Sequence, residues 1–154
     1  MAQEHHFAAH LVWAGAAEGS TRDYESYSRA WRVEMEGKPP LVGSSDPAFK
    51  GDATRHNPED LLVASLSACH MLSYLHLCAS AGIEVVAYED QTSGIMAIKD
   101  KRMRFTEVTL APRVEIAKGD LEQAQALHEK AHGLCFIANS VNFPVLHMPT
   151  VTQR

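Results

Sequence analysis

The sequence predicts an α+β fold, antiparallel sheet packed against a long central helix, on three observations. Segments that alternate apolar and polar residues come in groups, before, between and after two helical stretches, and do not interleave with helices as βαβ units would. Residues 57–82 form one long apolar stretch with helix signals at both ends. No glycine-rich phosphate loop follows a strand, so a nucleotide-binding fold lacks its signature. At 154 residues without internal repeats or low-complexity tracts, the chain is expected to fold as one domain over residues 1–154.

The long helix begins at Asn57-Pro58-Glu59. Asn caps, Pro at the first helical position loses no hydrogen bond, and Glu59 and Asp60 suit the positive end of the dipole. Gly82 closes it. Leu61, Leu62, Val63, Leu66, Met71, Leu72, Tyr74, Leu75 and Leu77 leave no fully polar face, which predicts a helix enclosed by protein. Ser, Cys and His interrupt it too often for a membrane span.

Before the helix, Phe7 to Trp13 alternates as a half-buried strand, Gly15 to Ser20 is a turn, and Tyr24 to Met35 alternates again to pair with the first strand. Leu41 and Val42 form a short third strand, and Gly43 to His56 is a polar loop longer than a connection needs. After the helix, Ile83 to Gln91 and Thr106 to Ile116 read as long strands, with Lys99 to Arg104 as a hairpin connection. Asp120, with Gln123 three residues on, starts a second helix that ends at Gly133. Residues 135–140 make one further turn, and Phe143 to Val151 is a last strand punctuated by Pro144 and Pro149.

Charge is mildly negative, 14 Lys and Arg against 19 Asp and Glu, and no dense basic run offers phosphate a footprint. Nucleic acid and membrane are therefore not expected partners. Three cysteines, an odd number, and no signal-peptide pattern point to free thiols in a reducing compartment, the cytoplasm.

Cys69 and Cys78 lie nine residues apart on the long helix, on opposite faces and about 13 Å apart along its axis, so they cannot bond to each other. Cys135 follows the second helix and could reach either. A single buried cysteine is ordinarily a small apolar filler, and Cys78 between Leu77 and Ala79 reads that way. A reactive thiolate needs positive charge beside it, and Arg22, Arg29 and Arg55 are available, although an arginine taken alone is ordinarily a solvated surface residue. His70 and His76 flank the thiols on the helix, where a lone histidine is more often packed or solvated than catalytic.

His128-Glu129-Lys130-Ala131-His132 matches H-E-x-x-H, the pattern that supplies two zinc ligands and a general base in a metallopeptidase. It lacks the metzincin extension, and His147 in a strand is the only histidine downstream. An ordinary helical pair is the plainer reading.

The stretches NPEDLLVASLSACH (57–70) and AHGLCFIANSV (131–141), with Cys135 placed 66 residues after Cys69, resemble the OsmC/Ohr family of osmotically inducible and organic hydroperoxide resistance proteins. The similarity covers most of the chain. It implies an OsmC-like α+β fold that forms an intertwined homodimer with two sites at the interface. It also implies thiol peroxidase activity on organic hydroperoxides, with a peroxidatic Cys69 and a resolving Cys135 that form a disulfide. An external dithiol, lipoyl-linked in some members, would reset the pair without any bound cofactor. The family's glutamate matches Glu59, and its arginine falls on Arg22 or Arg29 by one branch's pattern and near Lys50 and Arg55 by another's. Tyr27-Ser28-Arg29 and Ser44 to Phe49 are similar to a less characterised branch. The resemblance also reads the HEKAH segment as the helix leading to the second cysteine.

The expected function is thus a cytoplasmic, homodimeric thiol peroxidase of oxidative-stress defence acting on apolar organic hydroperoxides. Its rivals are a non-catalytic binder of small apolar ligands in the dimer-interface pocket and a zinc hydrolase built on HEKAH. Ten residues of straight helix separate Glu59 from Cys69 by about 15 Å, so one continuous helix cannot bring both into a small site. Either the helix breaks between them or each site draws on two chains, and the second is the expectation.

Overall fold

The computed structural model describes residues 4–154, which divide into two compact units, the first ending at Leu61 and the second beginning at Leu62. In the first unit, β1 (His10–Trp13), β2 (Trp31–Glu34) and β3 (Leu41–Gly43) form an antiparallel sheet in that order. Its close packing point is Trp31 against Gly43. A Cβ on Gly43 would stand 2.0 Å from the Trp31 ring, so only glycine admits it there. The indole N–H of Trp31 donates to the Ser44 carbonyl at 2.8 Å, and that of Trp13 to the Ser28 carbonyl at 2.8 Å.

The first two strands are shorter than the predicted spans 7–13 and 24–35. The Arg29 guanidinium donates to the carbonyls of Tyr24 and Tyr27, and the Asp23 carboxylate accepts from the Glu25 N–H, so residues 22–28 turn instead of extending. β2 alternates as predicted, with Trp31 and Val33 part-buried and Arg32 and Glu34 exposed, but β1 is not half-buried. All four residues of β1 are exposed, Leu11 at 64%. In the polar loop, Asp46 caps a short 3-10 helix (Pro47–Phe49) by accepting from the Ala48 N–H at 2.8 Å, and Lys50 takes the left-handed conformation that ends it.

The helix α1 (Pro58–Ser80) starts where the capping signals place it. Asn57 Oδ1 accepts the Asp60 N–H at 2.8 Å, and Gly82 beyond its end has φ 71°. It runs unbroken past Cys69. By length and hydropathy alone α1 could cross a bilayer, but Leu66, His70, Tyr74, Leu77 and Cys78 are a buried stripe at helical spacing, the pattern of a core helix. The opposite side is open, with Leu72 63% exposed, so this chain alone does not enclose the helix as predicted.

The second unit holds β4 (Glu84–Asp90), β5 (Ser93–Lys99), β6 (Arg102–Leu110), β7 (Pro112–Lys118), α2 (Leu121–Leu134), β8 (Val145–His147) and β9 (Thr150–Gln153). They form two sheets, ordered β4-β7-β9 and β5-β6-β8. Two predicted strands each divide between these sheets. The span 106–116 breaks at Ala111, whose N–H is taken by Asp90 Oδ1 at 2.7 Å before Pro112 opens β7. The span 143–151 breaks at Met148-Pro149 into β8 and β9. Both late strands pair parallel, β8 with β6 and β9 with β7, so the sheets are mixed where antiparallel sheet was predicted. The hairpin between β5 and β6 turns on Asp100 and Lys101, both at positive φ, which matches the twist of the flanking strands.

Asp120 caps α2 by accepting the Gln123 N–H at 2.6 Å, and the helix runs one residue past Gly133. One core joins Tyr74, Leu77, Cys78, Ile83, Val114, Ile116, Ala124, Ala131 and Val151; a second joins Leu66, Val108, Leu110 and Val145.

Candidate active site

Cys69 stands mid-way along α1, partly exposed, and Cys135 is the C-cap residue of α2, 1% exposed. Both thiols are free, and Cys69 is near enough to Cys135 to act on its titration. Cys135 is framed by backbone: its N–H bonds the His132 carbonyl at 3.3 Å, its carbonyl accepts from Asn139, and its sulfur accepts from the Ala138 N–H at 3.4 Å. Burial raises the Cys135 thiol to about 11, with Cys69 adding to the rise. At neutral pH Cys135 is therefore a protonated thiol, while Cys69 is the one solvent reaches. Cys78 packs into the first core, where burial also raises its pKa. That is the filler role its apolar flanks predict.

The other predicted site residues lie in the first unit. Glu59 is half-buried in the first turn of α1, and the unbroken helix holds it about 15 Å along the axis from the Cys69 of the same chain. Arg22 is exposed in the turn region. Arg29 is held firmly: besides its two carbonyl partners, its guanidinium lies 3.8 Å from the centre of the Tyr27 ring and 4.8 Å from that of Tyr24. It shares a polar pocket of about 340 Å³ with Ser44, Lys50, Asp52 and Arg55. Lys50 pairs with Glu25 at 2.9 Å and Arg55 with Asp52 at 3.3 Å.

The HEKAH segment is placed on α2, as predicted, but not as a zinc centre. His128 is fully buried with its Nδ1 3.0 Å from His70 Nε2, and Glu129 points to solvent and meets His147 Nε2 at 3.2 Å. No group of three His, Cys, Asp or Glu among the described residues is arranged to hold a metal ion.

What the sequence reading missed is the company His128 keeps. The rings of His70, His128, His132 and His147 gather beside Tyr74, which stacks on His128 at 3.8 Å. Burial pushes His70 down to about 4 and His128 to about 3, with further lowering from neighbouring histidines. The i,i+4 spacings His70/Tyr74 and His128/His132 put each pair on one helix face, and that was the available signal.

Comparison with known proteins gives the family. No curated protein matches the chain. An OsmC-like protein of unknown function from Vibrio cholerae O1 biovar eltor is 31% identical over 96% of this chain and 100% of its own, with a TM-score of 0.88. An organic hydroperoxide resistance protein from Elizabethkingia anophelis, with thiocyanate bound, is 22% identical with all of both chains covered and a TM-score of 0.70. The organic hydroperoxide resistance protein OsmC from Legionella pneumophila is 19% identical over 98% of this chain and 99% of its own, with a TM-score of 0.68. The last two share the fold. Residues 51–147 match the family described as OsmC-like protein, a span that takes in α1 with Cys69 and α2 with Cys135, and with the Vibrio relative it shows that this chain belongs to the OsmC-like family.

Proposed function

We propose that the protein is a thiol-dependent peroxidase that reduces organic hydroperoxides through Cys69 and Cys135. The observation that carries this reading is a part-exposed Cys69 on α1 and a buried Cys135 capping α2, near enough that Cys69 raises the Cys135 pKa. The Cys69 thiolate attacks the peroxide oxygen, the O–O bond breaks, and the leaving alkoxide takes a proton to become the alcohol. Cys69 is then a sulfenic acid. The Cys135 thiol condenses with it, forming the S–S bond and releasing water. An external dithiol, lipoyl-linked or otherwise, takes up the disulfide and restores both thiols without a bound cofactor. Burial suits Cys135 to the second role, since a protonated thiol does not compete for peroxide.

An arginine, Arg22 or Arg29, stabilises the thiolate and Glu59 orients it. Because α1 separates Glu59 from its own Cys69, the Glu59 that serves a site comes from a second chain of a homodimer. Relatives named for organic hydroperoxide resistance support a role in peroxide stress, and three free thiols suit the cytoplasm.

Turnover of cumene hydroperoxide with a dithiol tests the reading. Wild-type protein is expected to consume the peroxide, and Cys69→Ser to lose at least about a hundredfold; an unchanged rate in that variant would overturn it. One observation favours a second reading, binding of small apolar ligands without chemistry: Leu11, Trp31, Val33, Pro58 and Leu61 line a wholly apolar hollow of about 290 Å³. A binder would show no Cys69–Cys135 disulfide by intact mass after peroxide.

A further inference from the structure

The proposed chemistry leaves unused the best-buried polar contact between the two cysteine-bearing helices. His70 directly follows Cys69 in α1, and His128 lies seven residues, two helical turns, before Cys135 in α2. Both are fully buried, and His70 Nε2 and His128 Nδ1 are 3.0 Å apart, so one ring donates its N–H to the other's lone pair. Tyr74, one turn along α1 from His70, stacks on His128 and donates its hydroxyl to the Ala124 carbonyl of α2 at 3.1 Å. Two polar contacts thus cross from α1 to α2 at neighbouring turns.

As stabilising elements the histidines are a poor choice. His70 Nδ1 and His128 Nε2 are buried without partners, a cost that two apolar side chains of similar volume would avoid. What the imidazoles supply is direction. Apolar packing tolerates a small slide between helices, whereas a hydrogen bond between two rings fixes both distance and angle. Disulfide closure tolerates little slide, because the two Cβ atoms must come within about 3.5–4.5 Å.

We propose that His70 and His128 are a positioning pair: their hydrogen bond fixes how α1 lies on α2 and thereby sets how readily the Cys69 and Cys135 thiols close into a disulfide. The pair touches neither peroxide nor reductant. The inference rests on the two-cysteine reading of the site, but its measurement needs no peroxide.

The full-length protein is equilibrated with mixtures of reduced and oxidised dithiothreitol, and the Cys69–Cys135 disulfide is quantified by intact mass after thiol trapping. In that exchange two protein thiols become one disulfide while oxidised dithiothreitol gains the two protons and two electrons. His128→Leu and His70→Leu/His128→Leu are expected to shift the closure equilibrium at least tenfold toward free thiols. The double variant is expected to melt at or above the wild-type temperature, which separates positioning from stability. His128→Asn places a hydrogen-bonding atom where Nδ1 stood, and His70→Gln one where Nε2 stood, so that pair of variants is expected within threefold of wild type. Closure within twofold of wild type in either folded leucine variant overturns the proposal. Should the double variant fail to fold, His128→Leu against His128→Asn decides on the same criterion. A wild-type protein that closes the disulfide with dithiothreitol but consumes no hydroperoxide refutes the peroxidase reading and leaves this comparison intact.

Discussion

His70 and His128 carry the residue-scale prediction, because their environment makes the fold sensitive to pH. Burial holds both rings below the ordinary imidazole value of 6.5, at about 4 and about 3, and added positive charge is opposed at His70 by His147 and His132 and at His128 by His70 and His147. Asp90 acts the other way on His70, too weakly to restore it. The folded pKa values are lower than the unfolded one, so below pH 6.5 the unfolded chain takes up protons that the folded chain refuses. Stability is therefore full above pH 6.5 and falls as pH drops toward 4, by about 2 kcal/mol per ring at pH 5. Urea unfolding at pH 7 and pH 5 checks this, and His70→Leu/His128→Leu is expected to flatten the profile. The sequence displayed these histidines but not their meeting: 58 residues separate the two, and their helices are joined through four strands.

At the scale of elements, α1 and α2 follow from local signals. Asn57 and Asp120 each accept a backbone N–H in the first turn, which satisfies a donor the helix cannot, and both helices begin where those caps stand. Strands were harder to bound. An alternating run such as 106–116 carries the same pattern whether it stays in one sheet or crosses to another, and the crossing is decided by Asp90. Its carboxylate accepts from Ala111 N at the junction and from Ser67 Oγ of α1 at 2.5 Å. Asp90→Ala strands both donors in a part-buried setting and is expected to cost about 2–3 kcal/mol, with an unchanged urea m-value. Asp90→Asn keeps an acceptor for Ala111 and is expected to recover part of that loss.

At the scale of the whole molecule, the chain leaves single apolar side chains exposed that a second chain is expected to cover. Leu11 in β1, Leu72 in α1, and Phe136 and Met148 beyond α2 are 64%, 63%, 80% and 66% exposed. A homodimer is the expected state by sedimentation. Mixing tests whether its sites are shared. Cys69→Ser and Glu59→Gln chains, each impaired alone, are refolded together. If each site takes its cysteine from one chain and its glutamate from the other, a mixed dimer holds one intact site, and peroxide turnover is expected at about half the wild-type rate per mixed dimer. A mixture no more active than the average of its two components would place both residues of a site in one chain.

The sequence by itself determined the α+β class, both helices with their caps, the family, and the pair of cysteines to watch. Those features are local: a capping box, an apolar helical run and a short motif are complete within a few turns of chain. Only the tertiary structure decided that the late strands pair parallel, that two alternating runs split between sheets, and that HEKAH gives its first histidine to a buried partner on α1. It alone brings Cys69 and Cys135 near each other, one part-exposed and one buried. These are outcomes of packing between distant segments, and residues 66 apart in the chain carry no local mark of the distance between them in space.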